Sequence, residues 1–393
     1  MKIAYVTTYD ALNPASWSKY NGGNYGASNF ISKTLINQGI IINYLGPLQK
    51  TYSWLTKSKW LFYRHLFKTD YYNWAEPIVC KNYANQVAEK LANLDTEIIL
   101  SPEGATPTAY LECKQPLVIW IDTTLAELIN FFPYLSNLCQ ETKNNIYTLE
   151  KAALERCKLL IVTSEWAVET VVKTYGIERS KIQVIPRGAN IELRPNRTVE
   201  DIQNLVKSRG NKPCKLIFSG VFWQRKGGDI ALEVAKKLNK LGLETELTVI
   251  GCQPISDEPL PSFVKPLGYI DKSKGNGLLR ISQLISESHF LMLPTRADTN
   301  PHVLVEANAF GVPCLTTNVA GIPTVIKDEI NGKIFSVDTS VDNYCEYIIN
   351  YLTNYPKYEQ LAMSSFNEYL YRLNWSVAGQ KAKKLFMEVL NNC

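Results

Sequence analysis

Short apolar runs alternate along the chain with longer stretches in which apolar residues recur at helical spacing. In the first half, Ile3–Thr7, Ile40–Leu45, Glu97–Ser101, Leu117–Ile121, Leu159–Thr163 and Ile182–Ile185 are predicted strands, and Ala84–Leu94 and Glu141–Arg156 are predicted helices between them. In the second half, Leu216–Ser219, Glu246–Ile250, Phe290–Leu293 and Cys314–Thr316 are predicted strands, with helices over Asp229–Leu241, Leu278–Ser286 and Val303–Phe310. Strands this apolar, alternating with helices, call for parallel sheets covered on both faces.

The pattern breaks once. Ile185-Pro186-Arg187-Gly188 closes the first block, and the stretch Asn190–Pro213 is polar, with turn signals at Pro195-Asn196-Arg197 and Gly210-Asn211-Lys212-Pro213. A second run of strands and helices begins at Cys214. The chain is too long, at 393 residues, for one compact core. The expectation is therefore an α/β protein of two Rossmann-like, doubly wound domains facing a central cleft. They span residues 1–190 and 214–374, with a linker over 191–213 and a final helix over 375–393 that packs back on the first domain. In open α/β sheets ligands sit beyond the carboxyl ends of the strands, so the loops after strands are where chemistry belongs.

Composition narrows the classes. Hydrophobic residues at 46%, charged residues at 20% and a mean hydropathy of -0.14 are those of a globular protein. The net charge of +5 is spread among nearly as many acids as bases, which argues against a dedicated nucleic-acid binder. The nine cysteines form no Cys-x-x-Cys pair and the three histidines have no metal-site spacing, so the cysteines read as reduced thiols and no metal or cofactor is expected. Met1-Lys2 runs straight into the first strand without a secretory signal, and no apolar run reaches the roughly 20 residues needed to cross a bilayer. The expected location is cytoplasmic, or at most peripheral to a membrane.

Two strand-to-helix loops carry candidate chemistry. In Phe218-Ser219-Gly220-Val221-Phe222-Trp223-Gln224-Arg225-Lys226-Gly227-Gly228, adjacent cations precede a glycine pair that opens a helix. Arg225 could clamp a diphosphate with its fork and Lys226 as a point charge; a solvated basic loop is the plain alternative. In Leu293-Pro294-Thr295-Arg296-Ala297-Asp298-Thr299-Asn300-Pro301-His302-Val303-Leu304-Val305-Glu306, Asn300 is a candidate N-cap and Pro301 a candidate first helical residue. The backbone N–H groups of Thr299 to Val303 could then receive an anion. Glu306 could accept two hydrogen bonds from a vicinal diol such as a ribose, and Asp298 could meet a sugar hydroxyl. Alternatively the two acids merely complement a helix dipole.

Taken together, these loops, followed by Gly311-Val312-Pro313 and Ala320-Gly321-Ile322-Pro323, resemble the retaining glycosyltransferases of family 4, which have the GT-B fold. The family hallmark of an acid, seven residues and a Glu is matched by Asp298 and Glu306. The resemblance implies an acceptor-binding first domain and a nucleotide-sugar-binding second one. It makes Gly22-Gly23 the glycine pair that admits the donor diphosphate, and Asp122, Arg225, Lys226 and Asp298 the catalytic set. Donor binding falls to Gly22, Gly23, Arg225, Lys226, Asp298, Thr299, Asn300, Pro301, His302, Val303 and Glu306. Gly251-Cys252-Gln253-Pro254 and Gly268-Tyr269-Ile270 would hold the base.

Several positions depart from the family pattern. Asp298 stands where most members have Glu, Val221 where they have Arg, and Asp122 where many have His; Thr299-Asn300-Pro301-His302 replaces a glycine-rich stretch.

The implied function is a retaining, metal-independent transfer of a hexose-type sugar from a UDP- or GDP-sugar to an unidentified acceptor hydroxyl. The leaving phosphate would take the acceptor's proton. The alternative is a sugar-nucleotide-binding partner protein without turnover. Among other groups, Glu103 reads as a turn-capping acid or a cleft group, His289 as structural, and His302 as a donor to sugar or phosphate or a plain helix-start residue. The stretch Trp54–Tyr72 interleaves Lys57, Lys59, Arg64, His65 and Lys68 with aromatic and aliphatic residues. It reads either as an ordinary helix of the first domain or as a peripheral contact with an anionic membrane.

Overall fold

The computed structural model describes residues 1–17, 22–191 and 198–392, so Pro195-Asn196-Arg197 and Cys393 lie outside the described residues. Strands β1 (Lys2–Tyr5), β2 (Ile41–Tyr44), β3 (Ile98–Ser101), β4 (Leu117–Trp120), β5 (Leu159–Val162) and β6 (Ile182–Val184) form one sheet. Strands β7 (Cys214–Ser219), β8 (Thr245–Ile250), β9 (Val264–Gly268), β10 (Phe290–Leu293), β11 (Cys314–Thr317) and β12 (Gly332–Phe335) form another. Every pairing is parallel. The orders are β2-β1-β3-β4-β5-β6 and β12-β11-β10-β7-β8-β9. Both are open α/β sheets whose winding reverses once: between β1 and β3 in the first, and between β7 and β10 in the second. Such a reversal parts the loops at the strand ends and opens a ligand crevice there.

The chain divides into two units, Met1–Pro186 with Trp375–Cys393, and Arg187–Asn374. In the first, the final helix Trp375–Asn391 lies on helix Gly22–Asn37. Trp375 stacks on Phe30 at 5.9 Å, and the Trp375 carbonyl accepts from Thr34 Oγ1 at 2.6 Å. Helix Trp375–Asn391 places Ala378, Ala382 and Phe386 in the same buried cluster as Ile3, Tyr5 and Trp120 of the sheet.

The elements differ from the sequence expectation in two informative places. Strands β9 and β12 have no counterpart among the predicted ones, and both are edges of the second sheet. An edge strand buries one side only and tolerates breaks: β9 reads Val-Lys-Pro-Leu-Gly and exposes Lys265, Pro266 and Leu267. The segment expected as a linker carries helix Val199–Ser208, started by a capping box between Thr198 and Asp201, with Ile202 and Val206 buried. Arg209, also buried, ties the helix end to the rest of the second unit by donating to the carbonyls of Ser286 (2.9 Å), Phe310 (2.6 Å) and Gly311 (2.7 Å) and to Tyr358 Oη (2.8 Å).

Candidate functional site

At the winding reversal of the second unit, the loop after β7 meets the loop after β10. The Arg225 carbonyl accepts from the Arg296 N–H (2.8 Å) and from Thr295 Oγ1 (3.0 Å), while Arg225 Nη1 donates to the Ala297 carbonyl (2.5 Å). Arg296 closes the rim from outside, donating to both Asp229 carboxylate oxygens at 2.8 and 2.7 Å and to the Gln224 carbonyl at 2.6 Å. Gly227 makes the approach possible. Its φ of +78° lies in the left-handed region, and a Cβ there would run into the Pro294 carbonyl.

This bracing brings the two loops' charges together. Lys226 Nζ forms an ion pair with Asp298, and Arg225 Nη1 lies 3.7 Å from the same carboxylate. Asp298 is buried, and so are Thr299, Asn300 and Pro301 after it. Glu306, 2% exposed, pairs with Lys272 Nζ at 2.5 Å. An ammonium has three donors, so a single ion pair does not use up a lysine.

The start of the helix differs from the expectation. The helix runs His302–Asn308, and Pro301, extended at φ -70° and ψ 117°, occupies the cap position without a side-chain cap bond. Asn300 is thus not the N-cap. Its buried Nδ2 finds no hydrogen-bond partner among the described residues, and neither does the buried Nε2 of His302. Burial, with the charges of Arg187, Lys272 and Lys226 nearby, holds the His302 imidazole well below its ordinary pKa of 6.5. A hydrogen bond to the Gly188 backbone works the other way, towards protonation, which marks the Gly188 carbonyl as acceptor of the one ring proton. The neutral ring then presents Nε2 as a lone-pair acceptor. One buried donor and one buried acceptor, both unmatched, are the pair of groups that a hydroxyl satisfies.

Gly251 N–H donates to the Gly268 carbonyl at 2.8 Å, joining the two loops expected to hold a base. The remaining predicted residues belong to the first unit. Gly22 and Gly23 open helix Gly22–Asn37 after β1. Asp122, after β4, accepts from Thr163 Oγ1 at 2.5 Å. Glu103 lies at the winding reversal of the first sheet, where it accepts the Thr8 N–H at 2.6 Å and the Thr8 hydroxyl. Burial raises the Glu103 pKa against those bonds. His289 is 0% exposed, accepts the Lys215 N–H on Nδ1 (2.9 Å) and meets the Gly210 carbonyl through Nε2 (2.8 Å). Among the described residues, no group of three or more His, Cys, Asp or Glu side chains is placed to hold a metal.

Sequence reasoning missed Lys272 and Arg187. Lys272 lies in Asp271-Lys272-Ser273-Lys274-Gly275 after β9, a polar turn with nothing to mark a partner 34 residues on. Arg187 was visible only as part of Ile185-Pro186-Arg187-Gly188, at the end of the first block.

Comparison with known proteins agrees with this layout. Residues 201–367 match the family described as glycosyl transferases group 1, and residues 82–193 match Glycosyltransferase Family 4. A similar curated protein is the UDP-Gal:alpha-D-GlcNAc-diphosphoundecaprenol alpha-1,3-galactosyltransferase of Escherichia coli, 23% identical over 235 residues, 57% of this chain and 58% of that protein. The chain spans little more than half the length of such curated relatives. Similar solved structures include sucrose-phosphate synthase from Thermosynechococcus elongatus, with a TM-score of 0.68, 14% identity and full coverage of both chains (100% and 100%). Another is Anabaena HepE in complex with UDP-glucose, with a TM-score of 0.62 and 14% identity over 99% of this chain and 100% of that one. The chain is a GT-B protein of the glycosyltransferase group 1, family 4 type.

Proposed function

We propose that the protein transfers a hexose-type sugar from a UDP- or GDP-sugar to an acceptor hydroxyl, with retention of configuration and without a metal or other cofactor. The observation that carries this reading is the closure of the loop after β7 onto the loop after β10. It sets Arg225 and Lys226 beside buried Asp298 and leaves Asn300 Nδ2 and His302 Nε2 unmatched. In this reading Arg225 and Lys226 hold the donor diphosphate. They stabilise the negative charge that grows on the leaving phosphate, which takes the acceptor's proton. The sugar lies against Thr299 to Val303, with one hydroxyl accepting from Asn300 and donating to His302. Glu306 exchanges Lys272 for the ribose diol. Gly22, Gly23 and Asp122, all in the first unit, keep the roles that the family resemblance gives them. The complex of HepE with UDP-glucose gives the donor class its support.

The test is a binding titration with UDP-, GDP- and ADP-glucose, followed by a transfer or hydrolysis assay on whichever binds. Lys226→Ala is expected to lower kcat by about 10²–10³, the usual loss for one preorganised charge-stabilising donor. If no nucleotide-sugar binds, the reading is wrong. Binding without turnover in the wild-type protein would establish the other reading, a sugar-nucleotide-binding partner protein.

A further inference from the structure

A helix on a globular protein ordinarily turns its apolar stripe inward and its charges to water. The segment Ser53–Phe67, a helix over Ser53–Phe62 that continues as a π-helical turn over Tyr63–Phe67, is built the other way round. Its inner face is polar. Thr56 is buried, Lys59 Nζ donates to Glu76 (2.7 Å) and Glu141 (2.6 Å), and Tyr63 Oη donates to Glu141 (2.7 Å). Tyr71, stacked on Tyr63 at 5.8 Å, donates to Glu76 at 2.5 Å, so the anchor is a closed network of two acids, one lysine and two tyrosines. Because these partners fix Lys59 and Tyr63 inward, the segment cannot roll over to hide its other side.

That other side is apolar. Trp54 is 73% exposed, Leu66 68% and Phe67 60%, and Trp60, Leu61 and Phe62 are exposed with them. A cluster of six large apolar side chains within fourteen residues is a patch with a use, not the scattered exposure normal on a surface. Along the segment itself the charge has one sign. Lys57, Arg64 and Lys68 are exposed, and no Asp or Glu occurs between Tyr52 and Thr69. Arg64 lies over the Trp60 ring at 5.2 Å, which keeps a cation at the edge of the apolar face. Beside it opens a cavity of about 410 Å³ lined by Arg64, His65, Lys68, Thr69, Asp70 and Asn137. That space is ample for a phosphate, and its two permanent cations outnumber its single acid. Aromatic and aliphatic residues projecting from a surface ringed by lysine and arginine match a bilayer interface with anionic headgroups. No helix of the described residues is long and apolar enough to cross a membrane, so the contact would lie in the plane of the interface.

We propose that Trp54–Lys68 is a docking surface for an anionic phospholipid bilayer, in which Trp54, Leu66 and Phe67 enter the headgroup layer while Lys57, Arg64 and Lys68 pair with lipid phosphates. The contact holds whether or not the protein transfers sugar. Flotation of the full chain with vesicles tests it. Binding is expected to vesicles of phosphatidylcholine mixed with phosphatidylglycerol and to be at least about tenfold weaker on phosphatidylcholine alone. Trp54→Ser with Leu66→Ser should weaken binding by about tenfold or more, because both side chains lose their apolar contact with the lipid. Arg64→Glu with Lys68→Glu should abolish the preference for anionic vesicles. Unchanged far-UV circular dichroism of both variants would separate lost docking from lost fold. The proposal is overturned if the wild-type protein floats with neither vesicle, or if neither double variant changes its binding. It is also overturned if the wild-type protein self-associates through this patch and ignores vesicles.

Discussion

The second unit contains two histidines, His289 fully buried and His302 half-buried with a buried Nε2, whose hydrogen bonding differs in one respect. His289 has both ring nitrogens engaged, one by the Lys215 N–H and the other by the Gly210 carbonyl, and it lies against the Tyr358 ring at 5.4 Å. His302 has its ring bonded to the Gly188 backbone and keeps Nε2 buried without a partner among the described residues. Both are held neutral, chiefly by burial, His289 down to about 4. Neutrality therefore does not separate a structural histidine from one placed for a ligand. Completeness of hydrogen bonding does. A finished pair of bonds is a strut, whereas an unfinished one is a cost the fold carries until something binds.

The largest expected effect breaks the strut. His289→Ala leaves the Lys215 N–H and the Gly210 carbonyl unmatched and opens a ring-sized hole against Tyr358. The second unit should lose about 3–5 kcal/mol, or a Tm drop on the order of 10 °C for a unit of this size. Differential scanning calorimetry measures it. The molecules still folded should bind nucleotide-sugar with unchanged affinity, and a large loss of affinity would show that His289 does more than hold β7 to β10.

Next in size is the dependence on pH. In the unfolded chain His289 gains a proton near pH 6.5, while in the folded one it resists until about 4. Its contribution to stability is therefore complete above about pH 6.5 and declines as the pH falls towards 4. The steepest loss is about 1.4 kcal/mol per pH unit, since there the unfolded state holds one proton more. His302, lowered in the same direction, adds to the same slope. Urea melts taken from about pH 7 down to about 4.5 should show this decline, less steep in His289→Asn. Equal slopes in the two proteins would place the acid sensitivity elsewhere.

The contrast between the histidines also marks how far the sequence could be read. The inner strands β3, β4, β5 and β10 are continuous apolar runs buried on both faces, so their places followed from composition alone. The edges β9 and β12 did not, because a half-exposed strand interrupted by Lys and Pro has no distinct signature. Helix Val199–Ser208 was hidden by the polar residues around it, although Thr198-Val199-Glu200-Asp201 is a legible capping box and Ile202 and Val206 fall on one helical face. Within the site, Arg225, Lys226 and Asp298 could be singled out because a strand-to-helix loop is short and its position at the strand ends is fixed. The Lys272–Glu306 pair could not, since it depends on where a long polar turn folds. Nor does spacing show which histidine is finished. His302 sits in a motif and His289 before a strand, yet their hydrogen bonds come from Gly188, Gly210 and Lys215, all remote in the chain.

A smaller effect sharpens the comparison from the ligand side. His302→Ala gives up a single bond to Gly188 and no partner of Nε2, so its effect on stability should stay within about 1 kcal/mol. If a sugar hydroxyl donates to Nε2, affinity for the nucleotide-sugar should fall by about tenfold, while affinity for the nucleoside diphosphate alone should hardly change. Isothermal titration with both ligands separates the cases. Equal losses for the two would move His302 from the sugar to the diphosphate.

The smallest change tests whether an unmatched group is carried for function. The Asn300 amide nitrogen is buried and has no partner among the described residues, so replacing Asn300 by Ala removes a group that was desolvated for nothing in the free protein, against the loss of some packing. The two terms oppose, and the melting temperature of the free protein should stay level or rise. With nucleotide-sugar present the order should reverse. The wild-type amide then finds its hydroxyl and the alanine offers none, so the ligand-induced rise in Tm should be smaller in the variant, in keeping with a few-fold loss of affinity. A variant that melts lower without ligand and gains as much with it would mean that Asn300 serves the loop and not the sugar. The same pair of melts on His289→Ala gives the opposite signature, a large loss without ligand and an undiminished rise with it.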